Sequence, residues 1–96
     1  MKKILWGIDK AKALHGDSLR NNVGFEECVL AIEDGRVLAD IANPSEKYRH
    51  QRMLVLTINN YAFVAPYVES EGEIFLKTVF PSRKHTAIYL AKGNDE

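Results

Sequence analysis

The chain has 96 residues, of which 46% are hydrophobic and 27% are charged, and its formal net charge at pH 7 is zero. A chain of this length predicts one domain over residues 1–96 and excludes two. Zero net charge gives no overall indication of nucleic-acid binding, so any such activity must come from cations that cluster in space.

Cysteine content and hydropathy restrict where the protein works. Cys28 is the only cysteine, which excludes an intrachain disulfide and a cysteine metal cluster and favours the reducing cytoplasm. Because Cys28 lies in an apolar run, we expect a packed thiol. Residues 4–6 are too few for a secretory signal, and no apolar run is long enough to span a bilayer, so no membrane partner is expected.

The first part of the chain predicts one short strand and two helices. Residues 4–6 indicate the strand, and residues 8–21 carry an approximate helical stripe. Residues 25–33 predict the second helix, because Glu26 and Glu27 suit its first turn and Gly35 can end it. The two helices are expected to form a hairpin that packs on an apolar surface.

The remaining chain predicts four strands and a final helix. Residues 36–41, 53–58, 61–69 and 74–80 have strand character, and Pro81 is expected to stop the last strand. Ser82 can cap a helix that ends near Leu90. The fold class is therefore α+β: an antiparallel sheet of the short N-terminal strand plus a four-strand meander, with the helical hairpin on one face and a short C-terminal helix.

The hairpin between the two central strands has a defined register. Asn59 and Asn60 predict a two-residue turn, since asparagine tolerates positive φ. This turn places Ile58 opposite Tyr61 and continues in register to the far end of both strands. Both faces of the pair are largely apolar, so these strands are expected at the centre of the sheet.

The register of the next hairpin depends on the length of its turn. If residues 70–72 form a three-residue turn, Tyr67 pairs with Phe75, and Lys77 then shares a face with Tyr67 and Arg52. A slip of one residue would reverse the face of Lys77. Pro66 in the preceding strand indicates a bulge or a locally unpaired neighbour.

Lys77 is the most informative single residue, because it interrupts an apolar strand. Lysine is rarely buried without a partner, so its side chain is expected on the open face or in a polar pocket. There it is a candidate catalytic cation. The alternative is a lysine near a strand edge that keeps its ammonium in water and discourages aggregation.

A basic segment with an aromatic residue precedes the first central strand and comprises Lys47, Tyr48, Arg49, His50 and Arg52. Cations beside an aromatic ring suit single-stranded nucleic acid, whose phosphates meet the charges while its bases stack. His50 titrates near neutrality and is a candidate general base or acid. The alternative is a solvated loop.

The start of the last helix is basic, which a helix N-terminus does not favour. Arg83 and Lys84 follow the Ser82 cap, so free N–H groups and two cations are expected to form a phosphate site. His85 is the alternative to His50 for proton transfer, and Tyr89 can return to the same corner. Simple solvation of Arg83 and Lys84 is the competing interpretation.

Together these residues contain the groups that RNA cleavage requires without a metal. A base removes the 2′-OH proton, cations stabilise the charge on phosphorus, and an acid protonates the leaving oxygen. No histidine pair has metal-ligand spacing, so neither a metal nor a cofactor is expected. The candidate catalytic residues are Lys77, Arg83, Lys84 and His50. The candidate substrate-binding residues are Lys47, Tyr48, Arg49, Arg52, Tyr67, His85 and Tyr89.

The chain resembles the BrnT-type toxins of bacterial type II toxin–antitoxin systems along nearly its whole length. The resemblance is carried by Ile4–Trp6 with Asp9-Lys10, Val23–Glu27, Ile58–Tyr61, Phe75–Thr78, Pro81–Lys84 and Tyr89-Leu90. It implies a small RelE-like fold, a metal-independent endoribonuclease, and a hetero-oligomer with a cognate protein antitoxin. It also implies that Lys77, Arg83, Lys84 and Tyr89 occupy the matching basic and tyrosine positions of the site.

The sequence departs from the family pattern at two places. Gly24 stands where a serine or threonine cap is expected, and residues 85–88 follow the Arg-Lys pair where relatives carry further cations. The second departure leaves open a degenerate toxin-like module that binds an acidic protein partner without cleaving RNA. Direct DNA binding is the third possibility, which zero net charge and the lack of a helix-turn-helix pattern oppose.

Overall fold

The computed structural model describes residues 3–15 and 23–90. It has the expected α+β class, with the elements β1 (Lys3–Trp6), α1 (Ile8–His15), α2 (Phe25–Glu33), β2 (Val37–Ala42), β3 (Arg52–Ile58), β4 (Tyr61–Ser70), β5 (Glu73–Leu76), β6 (Phe80–Pro81) and α3 (Arg83–Tyr89). A short 3₁₀ turn, Glu46–Tyr48, precedes β3. The part of the first predicted helix over residues 16–21 lies outside the described residues. In the described ranges no helix is long and apolar enough to cross a membrane.

The sheet has the strand order β1-β5-β4-β3-β2, and β6 also pairs with β4. Strands β2 to β5 form the expected antiparallel meander. The prediction of a wholly antiparallel sheet was wrong, because β1 pairs with β5 in parallel. After β1 the chain passes through α1 and α2 and enters the sheet again at the opposite edge, so no tight turn forces β1 to run against its neighbour.

The β3–β4 hairpin confirms the register predicted from its turn. Asn59 and Asn60 have φ values of 55° and 62°, which a two-residue turn between twisted strands requires. Ile58 pairs with Tyr61, and the ladder continues without a break for all seven residues of β3. Alternate residues of both strands therefore face opposite sides of the sheet, and both sides carry apolar side chains.

The β4–β5 turn has two residues, not the three considered from the sequence. Glu71 and Gly72 have φ values of 30° and 82°, and Ser70 pairs with Glu73 across them. Tyr67 consequently pairs with Leu76, and the predicted partner Phe75 was wrong. Since a shift of one residue reverses every side chain, the predicted common face of Lys77, Tyr67 and Arg52 was wrong as well.

Pro66 divides the last predicted strand into two pieces. The main-chain N–H of Lys77 donates to the carbonyl of Pro66 at 2.8 Å. Proline has no N–H with which to return that bond, so the ladder stops there. Pairing resumes only where Val64 meets Phe80, and residues 77–79 form an irregular segment between β5 and β6. The expectation of a locally unpaired neighbour of Pro66 is confirmed. Pro81 is the last residue of β6 and pairs with Phe63, so the strand ends at Pro81 and includes it.

Two apolar cores cover the two faces of the sheet. The first face packs against α1 and α2 and includes Phe63, Leu56 and the fully buried thiol of Cys28, as predicted for that residue. The start of α2 is held by Glu27, whose carboxylate accepts from the N–H of Gly24 at 2.7 Å. The second core is smaller and lies under α3; it consists of Met53, Val55, Ala62 and Val64 with Leu38, Ala39, Ile41, Phe80, Tyr89 and Leu90 packed against them.

Candidate functional site

A cavity of about 580 Å³ opens on the second face of the sheet, beside the gap opposite Pro66. We call it the Lys77 cavity. Its lining combines apolar residues of the sheet with polar residues from the 43–51 connection, from residues 77–78, from the start of α3 and from α1. The lining residues are Lys10, Asn43, Pro44, Tyr48, Gln51, Met53, Val64, Pro66, Lys77, Thr78, Phe80 and His85.

The ionisable groups of the Lys77 cavity favour an anion. Lys10, Lys77 and His85 contribute nitrogen groups, and no carboxylate is among the described residues that line the cavity. Lys77 is exposed, and its ammonium nitrogen lies 5.2 Å from the ring centroid of Phe75. That contact places the cation without neutralising its charge. A phosphate or carboxylate of a ligand can therefore meet positive charge here without repulsion from the lining.

His85 has a fixed ring at the edge of the Lys77 cavity. Its Nδ1 lies 2.7 Å from the hydroxyl oxygen of Ser82, and the same hydroxyl accepts from the main-chain N–H of His85 at 3.1 Å. The rings of His85 and Tyr89 are stacked, with centroids 6.3 Å apart and planes 5° apart. Ser82 and Tyr89 thus position the imidazole, while Nε2 has no protein hydrogen-bond partner among the described residues.

The N-terminus of α3 is capped by Ser82 as predicted. The cap uses the N–H of His85, and α3 has only seven residues, so the helix start itself provides little for a phosphate. Arg83 and Lys84 are exposed and do not line the Lys77 cavity. They place two further cations in the first turn of α3, next to His85 in the sequence.

The basic segment before β3 contributes only part of its residues to the cavity. Tyr48 lines it with 44% of its surface exposed, and the ammonium nitrogen of Lys47 lies 5.3 Å from the tyrosine ring centroid. Arg49 and His50 are exposed and are not part of the lining. The structure therefore brings His85, and not His50, together with Lys77.

Arg52 and Tyr67 lie on the opposite face of the sheet, where both contact Asp40. The Tyr67 hydroxyl donates to the Asp40 carboxylate at 2.9 Å, and the Nε of Arg52 does so at 3.0 Å. Burial, followed by the hydrogen bond to Asp40, raises the pKa of Tyr67. The hydrogen bond and charge of Asp40 raise the pKa of Arg52. These contacts tie β2, β3 and β4 together, and the structure does not bring the two side chains to the Lys77 cavity.

Sequence reasoning missed four polar residues that line the Lys77 cavity: Lys10, Asn43, Gln51 and Thr78. Asn43 precedes the basic segment and Gln51 lies inside it; their separation along the chain hides that the N–H of Asn43 donates to the carbonyl of Gln51 at 3.3 Å. The turn at Glu71 and Gly72 decides which face Lys77 occupies, but the sequence leaves its length open, so no signal identified the cavity. Counted as two residues, the turn places Lys77 on the face of Pro66.

Thr78 carries a hydroxyl oxygen that is buried and has no hydrogen-bond partner in the described part of the chain. An unpaired buried polar group costs about 1–3 kcal/mol. Thr78→Val is therefore expected to raise the free energy of unfolding by about 1 kcal/mol in urea denaturation.

Thr86→Val is the matched control for this prediction. The Thr86 hydroxyl donates to the carbonyl of Ser82 at 2.8 Å and accepts from the N–H of Ala62 at 2.9 Å. Its loss is expected to lower the free energy of unfolding by about 2 kcal/mol, because the Ala62 N–H is left unpaired. A destabilised Thr78→Val protein would contradict the prediction.

No protein-family model, curated protein or solved structure matches the chain. Among the described residues, no group of three or more histidine, cysteine, aspartate or glutamate side chains is placed to hold a metal ion. The chemistry of the Lys77 cavity is thus the basis on which a function can be inferred.

Proposed function

We propose that this protein is a metal-independent endoribonuclease toxin of a bacterial type II toxin–antitoxin system, active in the cytoplasm and restrained by a cognate protein antitoxin. The single observation that carries the proposal is a cavity that combines Lys10, Lys77 and His85 with the exposed ring of Tyr48 and has no carboxylate among its described lining residues. The resemblance of the sequence to BrnT-type toxins supports the same function. Neither membrane nor cofactor has a part in it.

The groups of the Lys77 cavity suit cleavage by the neighbouring 2′-hydroxyl of RNA. In this reaction the 2′-oxygen forms a bond to phosphorus, and the bond from phosphorus to the 5′-oxygen breaks. The 2′-OH proton passes to a base, and an acid returns a proton to the 5′-oxygen. The ammonium of Lys77 would stabilise the negative charge that develops on the phosphoryl oxygens.

His85 is the stronger of the two histidine candidates for proton transfer. It lines the cavity with Lys77, and its ring is held by Ser82 through Nδ1. The Nε2 atom is then the one available to the substrate. His50 lies in an exposed turn outside the lining, so a proton transfer by His50 would need a different position of its loop.

The exposed cations around the Lys77 cavity would hold the neighbouring nucleotides of the strand. Arg83 and Lys84 lie in the first turn of α3, next to His85, and Lys47 and Arg49 lie beside Tyr48. Contacts of this kind neutralise phosphates without reading sequence. We therefore assign these four residues to substrate binding, including the two that the sequence suggested for catalysis.

A module that binds an acidic protein segment is the second candidate, and one observation favours it. General acid–base cleavage uses two proton carriers, yet His85 is the only histidine among the described lining residues. The same cations would bind carboxylates equally well. In that case the cavity would hold an acidic segment of the partner and no RNA chemistry would occur.

Cleavage of single-stranded RNA in EDTA tests the proposal directly. We expect purified protein to produce fragments with 2′,3′-cyclic phosphate ends, and His85→Gln to reduce the rate by about 100-fold. His50→Gln is the matched variant and should change the rate less than about twofold, since His50 is outside the cavity.

Uncut RNA, together with the absence of growth arrest when the chain is expressed, would contradict the enzymatic function. Tight binding of a glutamate-rich peptide that Lys77→Ala abolishes would then support the module for an acidic partner. A fall in rate with His50→Gln but not with His85→Gln would retain the enzyme and overturn the assignment of the proton carrier.

A further inference from the structure

We infer that the Lys77 cavity holds one nucleobase of the RNA, next to the phosphate that Lys77 binds. This inference rests on the proposed function and names the part of the substrate that the cavity takes. It makes the protein a nuclease that prefers particular bases, although its exposed cations contact phosphates of any sequence. The inference depends on three features of the lining: its floor, its amides and its aromatic ring.

The floor of the Lys77 cavity is more apolar than a phosphate site needs. Met53 is 7% exposed and Phe80 is half-buried, and both line the cavity together with the buried residues Pro66 and Val64. A free phosphate gains nothing from such a surface, whereas a base has two apolar faces that leave water on binding. The floor therefore selects a ligand with a flat apolar part joined to an anion.

The amide of Asn43 has a defined orientation toward a ligand. Its Oδ1 accepts from the main-chain N–H of Ser45 at 3.0 Å, which leaves the two Nδ2 hydrogens as donors. The loop that carries it is closed by main-chain bonds from Asn43 to Gln51 at 3.3 Å and from Gln51 to Tyr48 at 2.8 Å. Asn43 can therefore donate to an acceptor on a base edge, and the Gln51 amide, with one donor group and one acceptor, can read a second position.

Tyr48 supplies the third feature, a ring on which a base can stack. It lines the cavity, is 44% exposed, and is fixed near the ammonium of Lys47. Stacking of a base on an aromatic side chain contributes to affinity without selecting a base. Selectivity would then come from Asn43 and Gln51, and phosphate placement from Lys77.

Binding of mononucleotides, measured by calorimetry without any cleavage, tests this inference. The probes are the four nucleoside 3′-monophosphates, ribose 5-phosphate and inorganic phosphate. We expect at least one nucleotide to bind about tenfold more tightly than ribose 5-phosphate. Gln51→Leu should weaken the binding of that nucleotide about tenfold and leave the binding of inorganic phosphate unchanged. Gln51→Glu and Lys77→Ala should weaken the binding of both.

The outcomes separate the base pocket from the enzymatic function. Nucleotides that bind no more tightly than ribose 5-phosphate to the wild-type protein would overturn the base pocket, even if RNA is cut. Nucleotides that bind as expected while RNA stays intact would support the pocket and contradict the nuclease. Equal weakening of phosphate and nucleotides by Gln51→Leu would also overturn the pocket, because it would assign Gln51 to the anion.

Discussion

Replacing Lys77 by alanine is expected to lower the rate of RNA cleavage by about 10²- to 10³-fold, which is the usual loss when one preorganised group that stabilises transition-state charge is removed. The loss should appear in kcat more than in KM. Lys77 would bind the phosphate of the ground state, and would stabilise more strongly the charge that grows on it in the transition state, whereas Arg83 and Lys84 would bind both states about equally.

The same substitution is expected to leave the fold almost unchanged. Lys77 is exposed, and its ammonium makes no ion pair with the described residues; its ring contact is with Phe75. An exposed contact of this kind contributes about 0.5–1 kcal/mol. The free energy of unfolding measured in urea should therefore fall by no more than about 1 kcal/mol, so a large loss of activity could not be attributed to unfolding.

Lys12→Ala is the matched control, because Lys12 is an exposed lysine on α1 that lines a different cavity, beside Trp6 and Phe25. We expect its rate of cleavage to remain within about twofold of the wild-type rate. An equal loss of activity in both lysine variants would assign the effect to overall charge. A fully active Lys77→Ala protein would remove Lys77 from the mechanism.

The second large effect is the contribution of Cys28 to a loss of stability at alkaline pH. Burial, with a further contribution from the charge of Glu27, raises the pKa of this thiol from 9.0 to about 12. Above pH 9 the unfolded chain releases the thiol proton while the folded chain retains it, so the unfolded state binds fewer protons and the free energy of unfolding falls. The stabilisation is complete below pH 9 and is lost as the pH rises toward 12.

The size of this effect follows from the shift in pKa. Between pH 7 and pH 10.5 the contribution of Cys28 should fall by about 2 kcal/mol, since each pH unit above 9 is equivalent to about 1.4 kcal/mol. Urea denaturation at the two pH values measures it. Cys28→Ala should be less stable than the wild type at pH 7, because it leaves a small void, but its loss between the two pH values should be smaller by about 2 kcal/mol.

The comparison needs the Cys28→Ala variant because Tyr67 also contributes to the loss of stability at alkaline pH. The pKa of Tyr67 is also raised, chiefly by burial, so its contribution to the free energy of unfolding likewise falls as the pH rises above its ordinary pKa of about 10. Tyr67 is present in both proteins, and the difference between them isolates the thiol. Parallel curves for the wild type and Cys28→Ala would show that the thiol does not remain protonated in the fold.

The parts of the fold that local chemistry decides could be read from the sequence. Asn59 and Asn60 fix a turn of two residues because both can adopt positive φ, and the whole β3–β4 register follows from that turn. The Ser82 cap is equally local, since its hydroxyl bonds to the N–H three residues later. In such cases one or two residue types leave a single geometry available.

The register of β5 and the direction of β1 could not be read with the same certainty. Glu71 adopts a positive φ that its residue type does not favour, so nothing in its identity indicates a two-residue turn. The parallel pairing of β1 with β5 joins residues about 70 positions apart, and no local pattern encodes such a contact.

The candidate site was predicted only in part, for the same physical reason. Lys77, Tyr48 and His85 were identified by their residue types, but the Lys77 cavity joins them through the β4–β5 register, which the sequence left open. Tyr67 and Arg52 were grouped with Lys77 because a three-residue β4–β5 turn would place these three side chains on one face of the sheet. Asp40, the partner of both, lies on a strand whose register with β3 had not been assigned.

Pro66 has a consequence for the free energy of ligand binding. The gap beside it arises from a covalent feature, the missing N–H, so thermal fluctuations cannot close it by extending the β4–β5 ladder toward β6. The cavity therefore exists before a ligand arrives, and no strand pairing has to be broken when one enters. The cost of breaking a ladder hydrogen bond is therefore absent from the free energy of binding.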